Sequence, residues 1–173
     1  STDYVFDGGG GKPWREDDTP HPVNAYGESK LAGEKALASA GGDYCLIRTS
    51  GVYDAQGKNF FTTILRLLME KEALSIVADQ IGAPTYAPHL ARATLALPSP
   101  QDKKILHLCN SGETSWHGFA SEIFALARSR DSSLRCQRIK RIPTSDYPLP
   151  APRPHNSRLD CTNEAKVGVT LPS

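Results

Sequence analysis

At 173 residues, with 39% apolar and 23% charged side chains, the chain is long enough for one domain with a buried core and too short for two ordinary ones. A formal net charge of +1 argues against a dedicated nucleic-acid or membrane-surface binder. Cys45, Cys109, Cys136 and Cys161 form no C-x-x-C pair and match no histidine spacing, which points to reduced thiols rather than a disulfide framework or a zinc site.

Taken in order, Thr2 to Phe6 is β-rich and predicts a strand closed by the turn Asp7-Gly8. Residues 7–24 hold four glycines and three prolines, hence a surface loop. Within it Gly8-Gly9-Gly10-Gly11 leads into Lys12-Pro13-Trp14 rather than a helix, so it lacks the strand-to-helix context of a pyrophosphate-binding glycine turn. Asn24 is a candidate N-cap for a helix over Ala25 to Ala40 that ends at Gly41-Gly42. Tyr44 to Thr49 alternates little, as buried parallel strands do, and strand, helix, strand is the βαβ order of a doubly wound fold.

Phe60 to Lys71 has helical apolar spacing and starts just after Asn59. Ser75 to Ala78 reads as a short strand, Asp79 to Tyr86 as a turn, and Pro88 to Leu97 as a helix stopped by Pro98-Ser99-Pro100. Ile105 to Cys109 predicts a strand, and Ser115 caps a helix over Trp116 to Arg128. Few apolar residues and many basic ones between Asp131 and Ile142 predict a solvated basic face. Pro143 to Pro154 carries five prolines and should run extended across the surface. Glu164 to Gly168 suits a short closing helix. No apolar run nears the ~18 residues of a membrane span and no signal peptide precedes the first strand, so a cytoplasmic protein is expected.

The chemistry centres on Tyr26-Gly27-Glu28-Ser29-Lys30. Four apart on a helix, Tyr26 and Lys30 share a face, so an ammonium sits beside a phenol. An unperturbed phenol titrates near ~10, and a neighbouring cation favours its phenolate. A hydroxyl from Thr2 or Ser1 could then hydrogen-bond an oxygen on which charge develops. Phenol as acid, amine as tuner and hydroxyl as oxyanion partner make a carbonyl-reduction set. The five histidines look structural: His21 lies between prolines, His107 in a strand, and no pair has metal spacing. Asp17 and Asp18 suit a solvated loop.

Ser1-Thr2-Asp3-Tyr4-Val5-Phe6-Asp7-Gly8 and Pro22-x-Asn24-x-Tyr26-Gly27-x-Ser29-Lys30 together resemble the extended short-chain dehydrogenase/reductase family, in its dTDP-4-dehydrorhamnose reductase branch. The resemblance continues through Arg48-Thr49-Ser50, Gly57-Lys58-Asn59-Phe60, Asp79-Gln80-x-Gly82-x-Pro84-Thr85, Thr114-Ser115-Trp116 and Arg153-Pro154-x-x-Ser157-x-Leu159-Asp160. It implies an α/β fold: the C-terminal part of a doubly wound, Rossmann-type parallel sheet plus a small α/β substrate-binding lobe. Residues 1–56 would be the second half of the NAD(P)-binding domain, and 57–173 mainly the substrate lobe, with strands returning to the main sheet. Roughly the first hundred residues of a full-length enzyme would lie upstream, so this stretch by itself is expected to bind NADPH poorly and to be inactive.

The implied reaction is hydride transfer from NADPH or NADH to the C4 carbonyl of a dTDP-linked 6-deoxy-4-ketohexose, giving dTDP-L-rhamnose. By resemblance Tyr26 donates the proton, Lys30 holds the nicotinamide ribose and tunes Tyr26, and Thr2 polarises the carbonyl. Tyr4 borders the sugar, while Asn59, Gln80, Thr85 and Arg153 lie along the nucleotide-sugar site, although helix capping for Asn59 and turn hydrogen bonds for Gln80 and Thr85 compete with that role. A dTDP-sugar partner, no nucleic acid, no membrane, and compatibility with a homodimer follow. Gly51 stands where the family has a tryptophan and Asp54 where it has a glycine, which bears on sugar selectivity. A non-catalytic regulatory subunit of the same fold, or a related epimerase or dehydratase, are the other readings. Net oxidation of the nicotinamide separates the reductase from both.

Overall fold

A computed structural model describes residues 1–98, 104–164 and 168–172. Within them the architecture is α/β, with parallel strand pairs covered by helices. The opening segment departs from the expected strand. Thr2 makes one parallel bridge to Thr49, and Asp3–Val5 then coil into a 3-10 turn whose Tyr4 amide donates to the Thr2 hydroxyl at 3.3 Å. Short polar side chains at positions 2 and 3 offer the backbone local partners that compete with a ladder.

Helix α1 (Ala25–Ala40) starts where Asn24 was expected to cap it: the Gly27 amide donates to Asn24 Oδ1 at 2.9 Å. It stops at Gly41, whose φ of 77° suits glycine. One face is fastened to β1 (Cys45–Arg48) by a buried ion pair, with Arg48 donating to both oxygens of Glu34 at 2.9 and 2.7 Å. Burial alone would raise the Glu34 carboxyl, but the hydrogen bonds from Arg48 and Ser1, joined by the Arg48 and N-terminal charges, together outweigh it and leave it below the usual carboxylate range. Arg48 also stands over the Phe6 ring at 5.1 Å.

After β2 (Val52–Tyr53), α2 (Phe60–Glu70) opens on Asn59 in a capping box with Thr62. Next come β3 (Ala73–Val77), β4 (Ile81–Gly82), β5 (Thr85–Tyr86) and α3 (Ala87–Ala96), so the expected turn at 79–86 holds two short strands. β6 (Lys104–His107) returns to pair in parallel with β1, as β5 does with β2. β7 (Thr114–Ser115) leads into α4 (Trp116–Arg130), whose Gly118 amide donates to the capping Ser115 hydroxyl at 3.0 Å. α2 and α4 pack on β3 and β8 (Arg138–Ile142) around Ile64, Leu68, Leu74, Ala120 and Ile123. β9 (Asn156–Ser157) runs parallel to β4, with β7 antiparallel on the other side.

The basic stretch expected to be a solvated face is therefore partly a strand. β8 lies at the edge of its two-stranded sheet, with Arg138, Lys140 and Arg141 exposed while Ile139 packs inward. Charge on an edge strand blunts unwanted pairing, and here it hides the strand signal. The proline-rich segment is irregular apart from a 3-10 turn at Thr144–Asp146, pinned where Asp79 accepts from the Thr144 amide and hydroxyl. The expected helix at 164–168 falls on residues 165–167, outside the described residues. Among the described residues no helix is long and apolar enough to cross a membrane.

Removing one partner of a buried ion pair strands the other charge. Glu34→Ala should lose about 3 kcal/mol of stability, read as a lower melting temperature, whereas Glu70→Ala, which breaks the exposed Arg66–Glu70 pair, should change it by well under about 1 kcal/mol.

Candidate active site

The site is assembled where the first turn of α1 meets the Thr2–Val5 turn. Gly27 permits that approach, since a Cβ there would overlap the Tyr4 carbonyl oxygen and stand 2.8 Å from Pro22 Cβ. The neighbouring rings of Tyr4 and Tyr26 consequently meet edge to face, 5.5 Å apart at 81°. The Lys30 ammonium lies 5.9 Å from the centroid of the Tyr26 ring, so one helical turn does place amine and phenol side by side. Tyr26 is 52% exposed and Lys30 is exposed beside it.

Tyr4 and Tyr26 border a cavity of about 330 Å³ whose wall also includes Thr2, Asp3, Gly51 and Trp116, whereas Lys30 is not part of that wall. A larger cavity of about 720 Å³ takes its wall from α2, β3 and the proline-rich segment, with Phe60, Leu67, Tyr147 and Arg153 among its residues. Gln80 and Trp116 belong to both, so the two cavities adjoin. Asn24 links their supports, because its side-chain amide donates to the Pro152 carbonyl at 2.8 Å while its oxygen caps α1.

Thr2, Tyr4 and Tyr26 are thus gathered on one cavity, Gln80 stands at the seam, and Arg153 lines the second cavity. The structure does not bring Asn59 or Thr85 to either wall. Asn59 accepts from the Thr62 amide and donates to the carbonyls of Asp54 and Gln56, so capping uses its polar atoms. Thr85 has no exposed surface. Its hydroxyl donates to the Ala83 carbonyl and accepts from the Asn110 amide, holding the cleft floor from behind.

Two wall residues had no role assigned from sequence. Asp3 is nearly sealed, and burial raises its carboxyl to about 6 against hydrogen bonds from Ser157, Thr2 and Ser50. A strand would have turned Asp3 away from Thr2, whereas the 3-10 turn brings Thr2 Oγ1 within 3.1 Å of Asp3 Oδ1, as donor. Trp116 is the first residue of α4, directly after its Ser115 cap, and that position was its signal. Its indole packs on Phe60 at 4.6 Å and gives the cleft an aromatic surface that Gly51 lacks. Gly51 has φ 57° and an added Cβ would lie 2.9 Å from the Ala83 carbonyl oxygen, so this backbone excludes a larger residue. Burial also raises the Tyr4 phenol, with the nearby Arg153 charge opposing it. The arrangement offers a substrate one exposed phenol beside an ammonium, a hydroxyl, and a carboxyl poised between its two protonation states near neutral pH.

A family model described as RmlD substrate binding domain matches residues 1–173. The chain is 48% identical to a dTDP-4-dehydrorhamnose reductase of Burkholderia thailandensis, over 99% of this chain and 62% of that protein. It is 47% identical to one of Escherichia coli K12, over 92% of this chain and 55% of that protein. The solved structure of a dTDP-4-dehydrorhamnose reductase from Bacillus anthracis in complex with NADP superposes with a TM-score of 0.89 at 34% identity, over 100% of this chain and 60% of that one. The chain therefore spans about three fifths of the length of such relatives.

Overpacking a tight contact costs about 1–3 kcal/mol. Gly27→Ala should lower stability by about 2 kcal/mol in a thermal melt and should part α1 from the Tyr4 turn. Asp3 holds its proton more tightly when folded than at its unperturbed 3.8. Its contribution to stability is therefore full below about pH 4 and is lost as pH rises through about 6. Asp3→Asn should remove that loss, so melting curves of variant and parent should separate in the variant's favour between about pH 4 and pH 7.

Proposed function

The chain belongs to the RmlD substrate-binding family of dTDP-4-dehydrorhamnose reductases, and we propose that the complete protein reduces the 4-keto group of a dTDP-linked 6-deoxyhexose to give dTDP-L-rhamnose, using NADPH or NADH. In this reading residues 1–56 supply the second half of the cofactor-binding domain and 57–173 mainly the substrate lobe. Bound nicotinamide supplies the hydride. Tyr26 and Lys30 fit such a group because both are exposed, Tyr26 on the cavity wall and Lys30 5.9 Å from its ring, so that Lys30 can bond ribose hydroxyls.

The chain's own residues do the rest. Tyr26 gives its phenolic proton to the C4 oxygen as charge grows there, and the Lys30 ammonium stabilises the phenolate left behind. The Thr2 hydroxyl, which donates to Asp3 in this structure, turns to donate to the substrate carbonyl oxygen. Tyr4 and Trp116 flank the sugar in the smaller cavity. The nucleotide lies in the larger one, where the Arg153 guanidinium can fork onto a diphosphate. The free thiols fit a reducing cytoplasm as the site of action.

The observation that carries this reading is the gathering of Thr2, Tyr4 and Tyr26 on one cavity with Lys30 against the Tyr26 ring. It is tested by mixing the complete protein with dTDP-4-keto-6-deoxyhexose and NADPH and following the nicotinamide absorbance. Stoichiometric oxidation is expected, and Tyr26→Phe should slow turnover by roughly two to four powers of ten while nucleotide-sugar affinity stays near native. A near-native rate in that variant would reject Tyr26 as proton donor. Product formed without net oxidation would reassign the reaction to an epimerase.

A further inference from the structure

One wall of the larger cavity has no part in the reduction chemistry. Residues 145–151 form an arm that hydrogen bonds hold at its two ends. At one end Asp79 accepts from the Thr144 amide at 2.9 and 3.0 Å, and the Thr144 hydroxyl accepts from the Gln80 side-chain amide at 3.1 Å. At the other end the Asn24 side-chain amide donates to the Pro152 carbonyl at 2.8 Å. Among the described residues the stretch between bonds only locally: the Asp146 amide to the Pro143 carbonyl, the Tyr147 amide to the Thr144 carbonyl, and the Ser145 hydroxyl to Asp146. Pro148 and Pro150 have no N–H to offer a ladder, and their rings hold φ at about −65°. The arm is therefore stiff without being paired.

It brings two large apolar side chains to the cavity while leaving them wet. Tyr147 is 53% exposed and Leu149 38%, and both belong to the wall. Leu67 of α2 and Ile76 of β3 belong to the same wall, so a flat apolar group entering there buries surface on more than one element. The charge lies elsewhere. Arg153 lines the larger cavity and the next residue, Pro154, lines the smaller one, which puts the cation near the junction that Gln80 and Trp116 also mark. From the arm through the junction to the smaller cavity the chemistry runs aromatic, then cationic, then hydroxyl and carboxyl. That is the order base, diphosphate, sugar.

From this order we propose that the Tyr147 ring, carried on an arm anchored at Thr144 and Pro152, stacks on the base of the bound nucleoside diphosphate and so selects a nucleotide over a bare sugar diphosphate. The inference rests on the nucleotide-sugar reading above and adds the side chain that holds the base. A tyrosine ring gives a large contact for the loss of only two side-chain torsions, and every base has a face to stack on. The base is remote from the C4 carbonyl, so its stacking holds ground state and transition state alike.

The test titrates dTDP into the complete protein by calorimetry. Tyr147→Ala should weaken binding by roughly ten- to a hundred-fold, whereas Tyr147→Phe, which keeps the ring, should bind as the parent does. Both variants should melt with the parent, because the ring is half exposed. In turnover Tyr147→Ala should raise KM for dTDP-4-keto-6-deoxyhexose by the same factor and leave kcat unchanged. Equal affinity in the Ala variant, a Phe variant as weak as the Ala variant, or an affinity loss that comes with a lower melting temperature would overturn the stacking role alone. A parent protein that binds no dTDP would overturn it together with the nucleotide-sugar reading.

Discussion

The structure turns on a missing methyl group. α1 carries the phenol and the ammonium, the Thr2–Val5 turn carries the hydroxyl and the carboxyl, and the two can share a cavity only because Gly27 lets helix backbone rest against the Tyr4 carbonyl. Every other device in this half of the molecule preserves that contact. Asn24 fixes where the helix begins, so that Tyr26 falls in its first turn. The Glu34–Arg48 pair, two turns further on, fixes the roll of the helix against β1. Arg48 reaches this position through the layer that contains Phe6 and Trp14, so the pair also braces the floor beneath the Thr2–Val5 turn.

Much of this was legible in the residues. The Tyr26–Lys30 spacing, the Asn24, Asn59 and Ser115 caps, and the order of helices with their starts all follow from local rules: helical periodicity, capping chemistry and chain punctuation. Local rules act over a few residues and leave a direct mark on the sequence. The cavity bordered by Thr2 and Tyr26 was legible for a different reason, through two long strings of residues that resemble a known family.

What stayed hidden was decided by tertiary context. Thr2 to Phe6 has strand composition, yet a side-chain cap and one bridge to Thr49 turn it into a 3-10 coil, and that coil brings Asp3 into the cleft. β8 offers few apolar residues because its exposed edge is written in arginine and lysine; only its pairing with β3 reveals it. Thr85 carries a hydroxyl a ligand would want, but the Ala83 carbonyl and the distant Asn110 amide claim it first. Composition alone cannot say who wins such a competition, since the winner depends on which partner the folded chain delivers.

Asn24 has one further consequence. A single side chain holds both the start of the helix that bears the phenol and the carbonyl of Pro152, next to the cation at position 153. Occupancy of either cavity that steadies this amide must lower the free energy of occupying the other by an equal amount, because thermodynamic linkage is reciprocal. A ligand long enough to span both cavities would thereby seat each of its ends with help from the other, and a fragment reaching only one forfeits that mutual support.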